Sequence, residues 1–332
     1  MTFPSLADHA TKNAARFGGK SAHLAGLAAR GFPIPAGFAL PVDVVLAWQA
    51  PLMPQIEAEL ATLSTLDERE VSERILQLFL SNPLGAALRE EIAASCQIHL
   101  PDGLKTLVAV RSSAVGEDAA EASFAGQFES RLGLRSIDQI DSALRTVWAS
   151  LYSPRAIRYR HEANLPAAAS PMGVTVLEMV DAVASGVAFS VDVVTGKRDR
   201  IIIEATHGLA EPLVQGQIIP DRFVVDKTEA RLMITEVGRK EVICQIDPKG
   251  GTTTRPATED QQSCASLSSS KAEHIGETVT RLEAVMGHPV DIEWAIGTDN
   301  QLRLLQVRPI SSVLPPHPQL IWDRASCFYV PI

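Results

Sequence analysis

Apolar residues in the first half of the chain recur mainly with the period of an α-helix. This period places every third or fourth side chain on one face, which a helix can bury against the core. The predicted helical segments are Ser21–Arg30, Val42 to about Leu100, Ile137–Tyr152 and Pro154–Asn164. In the first of them, Ser21 is a candidate N-cap and Gly31 a candidate for the glycine that follows the helix. Phe32–Pro41 has too many prolines for a central strand, which favours an edge strand or a connection.

The second half of the chain is predicted to be mainly β. Short runs rich in Val and Ile are separated by Gly, Asp or Pro, as strands are separated by turns. The predicted strands are Met172–Val180, Val183–Ser190, Arg200–Ala205, Arg222–Asp226, Leu232–Val237, Glu241–Gln245, Val290–Ile296 and Leu302–Arg308, and the predicted long helix is Ser268–Met286. We therefore expect an N-terminal lobe at 1–170, a β-rich lobe at 171–312 and a linker or tail at 313–332, with a hinge at Leu165–Pro171.

Composition and charge narrow the function classes. The chain has 332 residues, 46% hydrophobic and 21% charged, as in ordinary soluble globular proteins. A net charge of −9 with scattered basic residues argues against a nucleic-acid partner. The four cysteines are far apart, which favours free thiols in a reducing compartment over disulfides or a zinc site. No apolar run has the length of a signal peptide or membrane span, so we expect a cytoplasmic protein without a membrane partner.

A loop of small residues in the middle of the chain is a candidate phosphate site. The apolar run Leu107–Val110 ends in Arg111, and a second predicted strand follows the loop at Phe128–Leu134. Backbone N–H groups in a Gly/Ser-rich turn can bind anions, and a guanidinium suits phosphate oxygens. The loop also carries three acidic residues, Glu117, Asp118 and Glu121. A phosphate-binding loop and a surface hairpin both remain open from these residues alone.

Gly18, Gly19 and Lys20 precede the first predicted helix. Free N–H groups at a helix start, together with a lysine, can bind an anion. The segment is not a P-loop, because Ala14 stands where that motif needs glycine and no strand precedes it. Lys20 is therefore either a phosphate ligand or a solvated residue at a helix start.

The last two predicted strands combine apolar residues with groups suited to a metal or a phosphate. In the first, alternation places Asp291 and Glu293 on one face, opposite Ile292, Trp294 and Ile296. In the second, alternation predicts a shared face for Leu302, Leu304, Gln306 and Arg308. Gln306 could offer an oxygen to Mg²⁺ and Arg308 a charged fork to the phosphate that the metal bridges. The alternative is a cross-strand Glu–Arg ion pair without a ligand.

Four segments resemble, in order, the signature blocks of one nucleotide-binding domain family. They are GGKSAHLAGLAARGFPIPAGFALP, VAVRSSAVGEDAAEASFAGQFES, SGVAFSVDVVTGKRDRIIIEATHGLAEPLVQGQIIPDRFVVDK and PVDIEWAIGTDNQLRLLQVRPI. The family is that of phosphoenolpyruvate synthase, pyruvate phosphate dikinase and rifampicin phosphotransferase. The resemblance covers nearly the whole chain to Ile310. It implies an α+β, ATP-grasp-like fold, with ATP in the cleft between two lobes.

The resemblance also assigns roles to residues of the first lobe. It implies that Lys20 and Arg111 contact the ATP phosphates. It places Ser123, Gly126 and Gln127 in the loop over those phosphates. Glu178 stands where the family usually has Gln, beside the expected adenine pocket.

In the second lobe, the resemblance implies that Glu293 and Gln306 hold Mg²⁺. Arg308 would bind phosphate and offset charge during transfer, so that Arg111, Glu293 and Arg308 form the expected catalytic set. These roles agree with the chemistry of phosphoryl transfer, which depends mainly on positioning and charge neutralisation.

In the family, a His on a swivelling domain attacks ATP, leaving AMP and a pyrophosphorylated His. Phosphate is then released, and the remaining phosphoryl group passes to an acceptor on a third domain. None of the eight His residues of this chain lies in the TSHAA-like context of that His. The resemblance therefore implies an ATP-binding component, whose His domain and acceptor-binding domain lie on another chain, as in phenylphosphate synthase, or are missing through truncation.

The expected function is thus that of a dikinase-type, ATP-dependent phosphotransferase component. It would bind Mg²⁺ and ATP and yield AMP and phosphate with an unknown acceptor. One alternative is the nucleotide-binding half of a rifampicin-phosphotransferase-like or phenylphosphate-synthase-like system. Another is an ATP sensor or regulatory module without turnover, and a third is a hydrolase that makes ADP.

Overall fold

A computed structural model describes residues 2–115, 129–162 and 172–310 of the chain. These residues form two compact units, the first ending at Met179 and the second beginning at Val180. Both units combine helices with antiparallel sheet, which confirms the expected α+β class.

The first unit contains most of the helices. They are α1 (Ala14–Phe17), α2 (Gly19–Ala28), α3 (Val42–Gln49), α4 (Met53–Ala61), α5 (Glu68–Leu80), α6 (Ala86–His99), α7 (Ile137–Ala149) and α8 (Pro154–Glu162). Short 3-10 helices lie at His9–Lys12, Ala50–Leu52, Thr62–Ser64, Gly103–Lys105 and Ser150–Tyr152. The helical segments expected from Val42 to Leu100 and from Ile137 onward are confirmed. Their core includes the fully buried Phe79, Trp148 and Tyr152, and the first two also contact the ring of Trp48.

The strands of the first unit form one antiparallel sheet in the described part of the chain. They are β1 (Gly37–Leu40), β2 (Val108–Ala114), β3 (Ser130–Leu134) and β4 (Met172–Glu178), in the order β1-β4-β2-β3. β1 is an edge strand, as the prolines around it predicted. β2 and β3 pair antiparallel, as expected for the strands on either side of the small-residue loop, and residues 116–128 of that loop lie outside the described residues.

The start of α2 differs from the prediction. The helix begins at Gly19 and its N-cap is Gly18, with a φ of 78°, so Ser21 is not the N-cap. Ser21 is instead buried in the first turn, where its hydroxyl lies 2.7 Å from Thr175 Oγ1. Gly31 has a φ of 75°, which agrees with its expected place just after the helix.

The second unit is built around a larger antiparallel sheet. Its strands are β5 (Ala182–Phe189), β6 (Arg200–His207), β7 (Asp221–Asp226), β8 (Leu232–Glu236), β11 (Val290–Gly297) and β12 (Leu302–Pro309), in the order β12-β11-β5-β6-β7-β8. A separate hairpin pairs β9 (Val242–Ile246) with β10 (Thr252–Pro256), and the helices are α9 (Glu211–Val214), α10 (Glu259–Ser263) and α11 (Ser269–Met286). The sequence analysis did not predict β10, α9 or α10.

The long helix α11 covers one face of the larger sheet. Ser268 caps its N-terminus through the Lys271 N–H, and Gly287 ends it with a φ of 75°. The helix lies close to β7, since a Cβ added at Gly276 would stand 2.7 Å from Val225 Cγ1. Side chains that alternate away from Val225, such as Val224, belong to the opposite face.

The boundary between the units differs from the prediction because of strand β4. The sequence placed Met172–Val180 in the second lobe and the boundary at 170/171. In the structure β4 pairs with both β1 and β2, so it is part of the first sheet, and the first unit extends to Met179. Apolar alternation predicted the strand but contains no information about the strand with which it pairs.

Within the described ranges, no helix is both long and apolar enough to cross a membrane.

Candidate functional site

The start of α2 lies directly against the end of β2. A Cβ added at Gly18 would stand 1.7 Å from the carbonyl oxygen of Ser113, so only glycine allows this approach. The Ser21 N–H donates to Ser113 Oγ at 3.0 Å. Lys20 Nζ donates to Ser112 Oγ at 3.3 Å, which places the ammonium group beside the same strand.

Arg111 lies in the same region of the first unit. Its Cα is paired with that of Thr175 across β2 and β4. Directly opposed residues of an antiparallel pair face the same side of the sheet, and Thr175 Oγ1 contacts Ser21 of α2. Arg111 therefore faces the side of the sheet on which α2 begins. Ser112, which the Lys20 ammonium group contacts, alternates to the other face of β2.

Glu178 is held at the far end of β4. Its carboxylate Oε2 accepts from the Ala36 N–H at 3.4 Å, and its own N–H donates to the Ala36 carbonyl at 2.8 Å. Glu178 is three residues beyond Thr175, about 10 Å along an extended strand. It is thus separated from the Lys20 and Arg111 region, and its role beside adenine remains a prediction. Ser123, Gly126 and Gln127 lie outside the described residues.

The second unit brings four polar groups together on β11 and β12. The Cα of Glu293 is paired with that of Gln306, and the Cα of Asp291 with that of Arg308. Because opposed residues share a face, all four side chains project from the face of the sheet opposite α11. The residue directly opposite Arg308 is therefore Asp291.

A β-bulge corrects the expected alternation in β12. The register shifts between Glu293 and Trp294, so that Trp294 pairs with Leu304 and Leu305 is the extra residue. Leu304 consequently lies on the buried face with Trp294, whereas Gln306 lies on the polar face with Glu293. The expected common face for Leu302, Leu304, Gln306 and Arg308 is wrong for its two leucines. Bulges re-aim side chains in this way and are frequent beside functional sites.

Asp291 is the residue of this face that the sequence analysis did not include in the site. The pKa of its carboxyl group is raised to about 7: burial raises it most, the charges of Glu293 and Glu204 also raise it, and the charge of Arg308 lowers it. Burial also raises the pKa of Glu204 on β6, while Arg222 lowers it. The alternation in VDIEWAI already put Asp291 on the face of Glu293, and that was the available signal.

The oxygen atoms of this face suit a divalent cation that is coordinated by both the protein and a bound ligand. Within the described residues, no three or more His, Cys, Asp or Glu side chains are grouped as a metal site. Mg²⁺ commonly takes only one or two protein carboxylates and completes its shell with water and substrate phosphates. Asp291 Oδ1 is buried without a hydrogen-bond partner, which leaves an acceptor for a cation or a ligand donor. The residues present therefore fit Mg²⁺, with Glu293 and Gln306 as the candidate ligands.

Each unit contains groups that can bind a nucleotide phosphate or its metal ion. The first has a lysine and an arginine beside a helix start; the second has carboxylates, an amide and an arginine on one sheet face. These groups are typical of proteins that bind nucleotides with a divalent cation and transfer phosphoryl groups.

Comparison with known families gives the particular family. Residues 14–317 match the family model described as the pyruvate phosphate dikinase, AMP/ATP-binding domain, and the chain belongs to this family. The family expected from the four sequence blocks is confirmed, and so is the expected ATP-binding class.

Similar curated proteins include a probable phosphoenolpyruvate synthase, a rifampicin phosphotransferase and a prodigiosin synthesizing transferase. The chain is 35% identical to a probable phosphoenolpyruvate synthase of Methanothermobacter thermautotrophicus, over 89% of this chain and 44% of that protein. It is 33% identical to the rifampicin phosphotransferase of Streptomyces sviceus, over 90% and 34% respectively. It is also 33% identical to the prodigiosin synthesizing transferase PigC of Serratia marcescens, over 91% and 32%. The chain thus spans less than half of the length of these relatives, which have further sequence outside the matched part.

Among solved structures, the chain is similar to D-alanyl-alanine synthetase A from Vibrio cholerae. The match has 12% identity and a TM-score of 0.35, and covers 90% of this chain and 57% of that one. A TM-score at this level supports no conclusion about function.

Proposed function

We propose that this chain is the ATP-binding component of a dikinase-type phosphotransferase. It binds Mg²⁺ and ATP and presents the terminal phosphates to a His on a separate domain or subunit. The His nitrogen attacks ATP, AMP leaves and a pyrophosphorylated His forms. Water then takes the terminal phosphoryl group, which is released as phosphate, and the phosphoryl group that remains passes to an acceptor on a further domain.

The pairing of Glu293 with Gln306 and of Asp291 with Arg308 on one face is the observation that carries this proposal. Two carboxylates on a half-buried sheet face are unfavourable unless positive charge offsets theirs. The raised pKa of Asp291 shows that the charged form is disfavoured in the chain alone. A magnesium-bearing triphosphate would supply that cation.

The proposal assigns a separate role to the polar groups of each unit. Lys20 and Arg111 bind phosphate oxygens from the first unit. Glu293 and Gln306 hold the metal from the second unit, and Arg308 offsets charge on the transferring group. Magnesium would neutralise the phosphates and orient them.

Three further assignments belong to the proposal. Ser123, Gly126 and Gln127 lie over the phosphates, Glu178 lies beside the adenine, and the His-bearing and acceptor-binding domains are on another chain. The names of the relatives indicate different acceptors. This fits the proposal that the acceptor is selected by a domain outside this chain.

Product analysis tests the proposed function. The chain is incubated with Mg²⁺ and ATP labelled in the α-phosphate, alone and with the separately produced His-bearing domain encoded nearest to it in the genome. We expect binding with little AMP for the chain alone, and release of AMP and phosphate when the partner is added. ADP as the product would contradict the dikinase reaction. ATP binding with no AMP in the presence of the partner would favour a sensor, and absence of binding would reject both.

The lysine at the start of α2 gives a direct test of the phosphate site. Lys20→Ala is expected to weaken Mg·ATP binding about ten-fold or more, because a charge-assisted hydrogen bond contributes about 1.5–3 kcal/mol. Isothermal titration of the variant and the unaltered chain measures the change. Lys105→Ala is the matched control, since Lys105 is an exposed lysine of the same unit. Equal affinity of the Lys20 variant and the unaltered chain would remove Lys20 from the site.

A further inference from the structure

The junction between α1 and α2 is seated on a single cross-strand pair of the first sheet. Ser113 of β2 is directly opposite Gly173 of β4. Gly18 touches the backbone of Ser113, and a Cβ added at Gly173 would lie 2.5 Å from the carbonyl oxygen of Phe17. Backbone therefore meets backbone on both strands, which leaves the junction little room to move.

Buried hydroxyl groups also form hydrogen bonds across this contact. Ser21 Oγ and Thr175 Oγ1 lie 2.7 Å apart, and the Ser21 N–H donates to Ser113 Oγ at 3.0 Å. Ser21 and Ser113 are 0% exposed and Thr175 is 1% exposed. At this burial no water is available to replace a lost partner, so each hydroxyl group depends on the others.

The same hydroxyl groups link the two segments that carry Lys20 and Arg111. Ser21 follows Lys20 in α2, and Thr175 is opposite Arg111 in the sheet. The Ser21–Thr175 hydrogen bond thus joins the neighbour of one cation to the cross-strand partner of the other. α2 has no side-chain N-cap of its own, so Ser113 of another element takes over one of its first-turn N–H groups.

We propose that Ser21, Ser113 and Thr175 are positioning residues that hold Lys20 in register with Arg111 and thereby set the affinity for the triphosphate. This inference rests on the proposed function, because it needs both cations to bind ATP. Fixing two charged groups before the ligand arrives lowers the entropy lost on binding. The hydroxyl groups act through Lys20 and do not touch the nucleotide.

A double-mutant cycle tests this inference. Ser21→Ala is expected to weaken Mg·ATP binding about five- to ten-fold, as measured by isothermal titration. In a Lys20→Ala background the same substitution is expected to change the affinity less than about two-fold, because the group that it positions is gone. An equal factor in both backgrounds would mean a general structural effect and would overturn the inference.

A second pair of variants keeps the test valid if Ser21→Ala folds poorly. Thr175→Val removes the hydroxyl group but preserves the shape of the side chain, whereas Thr175→Ser keeps the hydroxyl group. We expect Thr175→Val to weaken ATP binding and Thr175→Ser to retain it within about two-fold. Thr278→Val is the control, since Thr278 is a buried threonine of α11 whose hydroxyl donates to the His274 carbonyl in the other unit.

The outcomes separate this inference from the proposed function. If the unaltered chain binds Mg·ATP and Lys20→Ala weakens binding, but Thr175→Val and Ser21→Ala leave the affinity unchanged, the inference alone is wrong. If Thr175→Val and Thr278→Val lower affinity equally, the effect is one of stability and the inference is again wrong. If the unaltered chain does not bind Mg·ATP, the proposed function and this inference are both rejected.

Discussion

Glu293→Gln is expected to lower the rate of partner phosphorylation by about 100-fold or more, the effect expected from removing a principal charge-stabilising group. The carboxylate would be a metal ligand opposite Gln306, and an amide is a poorer ligand for Mg²⁺ with no charge to match it. The fold should be retained, because the substitution keeps the size of the side chain and removes one of two carboxylate charges from a half-buried face. The measurement is the rate at which label from ATP labelled in the β-phosphate appears on the partner domain, because the β-phosphate is the group that remains on the His.

Arg308→Ala is expected to have an effect of the same order on the same reaction. A guanidinium that offsets charge on the transferring group stabilises the transition state, and alanine removes that charge. Glu277→Gln is the matched control for Glu293→Gln, because Glu277 is an exposed glutamate of α11. If either site variant unfolds while the unaltered chain fails to bind ATP, the polar groups of β11 and β12 form only a structural ion-pair cluster.

Periodicity predicted most of the helices and strands but not their exact partners. The helix at α2 and the strands β2 and β3 were predicted because apolar spacing and glycines are local signals. The N-cap at Gly18 was missed because its cause is not local. Ser113 of a distant strand holds the first turn of α2, and Ser21 is used in a hydroxyl pair with Thr175. The allocation of β4 to the first sheet was missed for the same reason.

In the candidate site of the second unit, the sequence pattern likewise predicted the strands but not the face of every side chain. Alternation placed Asp291 and Glu293 on one face, and the structure agrees. Alternation failed in β12, because the bulge at Glu293/Trp294 inserts Leu305 and reverses the faces beyond it. A bulge leaves no reliable mark in the apolar pattern, since Leu304 and Leu305 are equally apolar. Without the bulge, Gln306 and Arg308 would lie on the face of Leu304 and Trp294, away from Glu293.

The electrostatics of Asp291 were beyond any sequence pattern. Its pKa depends on how completely β5 and β12 bury it on either side of β11, and on the charges of Glu293, Arg308 and Glu204. Burial without a bound cation disfavours the charged form of this carboxyl group. The consequence is a folded chain whose stability without ligand depends on pH.

Asp291→Asn is expected to stabilise the ligand-free chain at alkaline pH while it impairs ATP turnover. The pKa of Asp291 is raised from 3.8 to about 7 in the folded chain, so the folded state favours the protonated acid. Below pH 3.8 the carboxyl group is protonated in both folded and unfolded chains and carries no penalty. As pH rises above that value the unfolded chain ionises first, and the free energy of unfolding falls by about 1.4 kcal/mol per pH unit until Asp291 itself ionises.

Above pH 7 the free energy of unfolding has therefore fallen by its full amount, about 4 kcal/mol. The neutral, isosteric Asn does not ionise, so its chain does not lose this stability. Urea unfolding of both chains at pH 5 and pH 8.5 measures the difference, which should be larger at pH 8.5. Asp299→Asn is a control that is expected to destabilise the chain. The hydrogen bond from Arg303 lowers the pKa of the exposed Asp299 to about 2, so its charged form stabilises the fold. A stability gain that is the same at both pH values would show that Asp291 is not ionising between them. Stabilisation together with lost turnover would mark Asp291 as a residue kept for ligand binding at the expense of the stability of the chain alone.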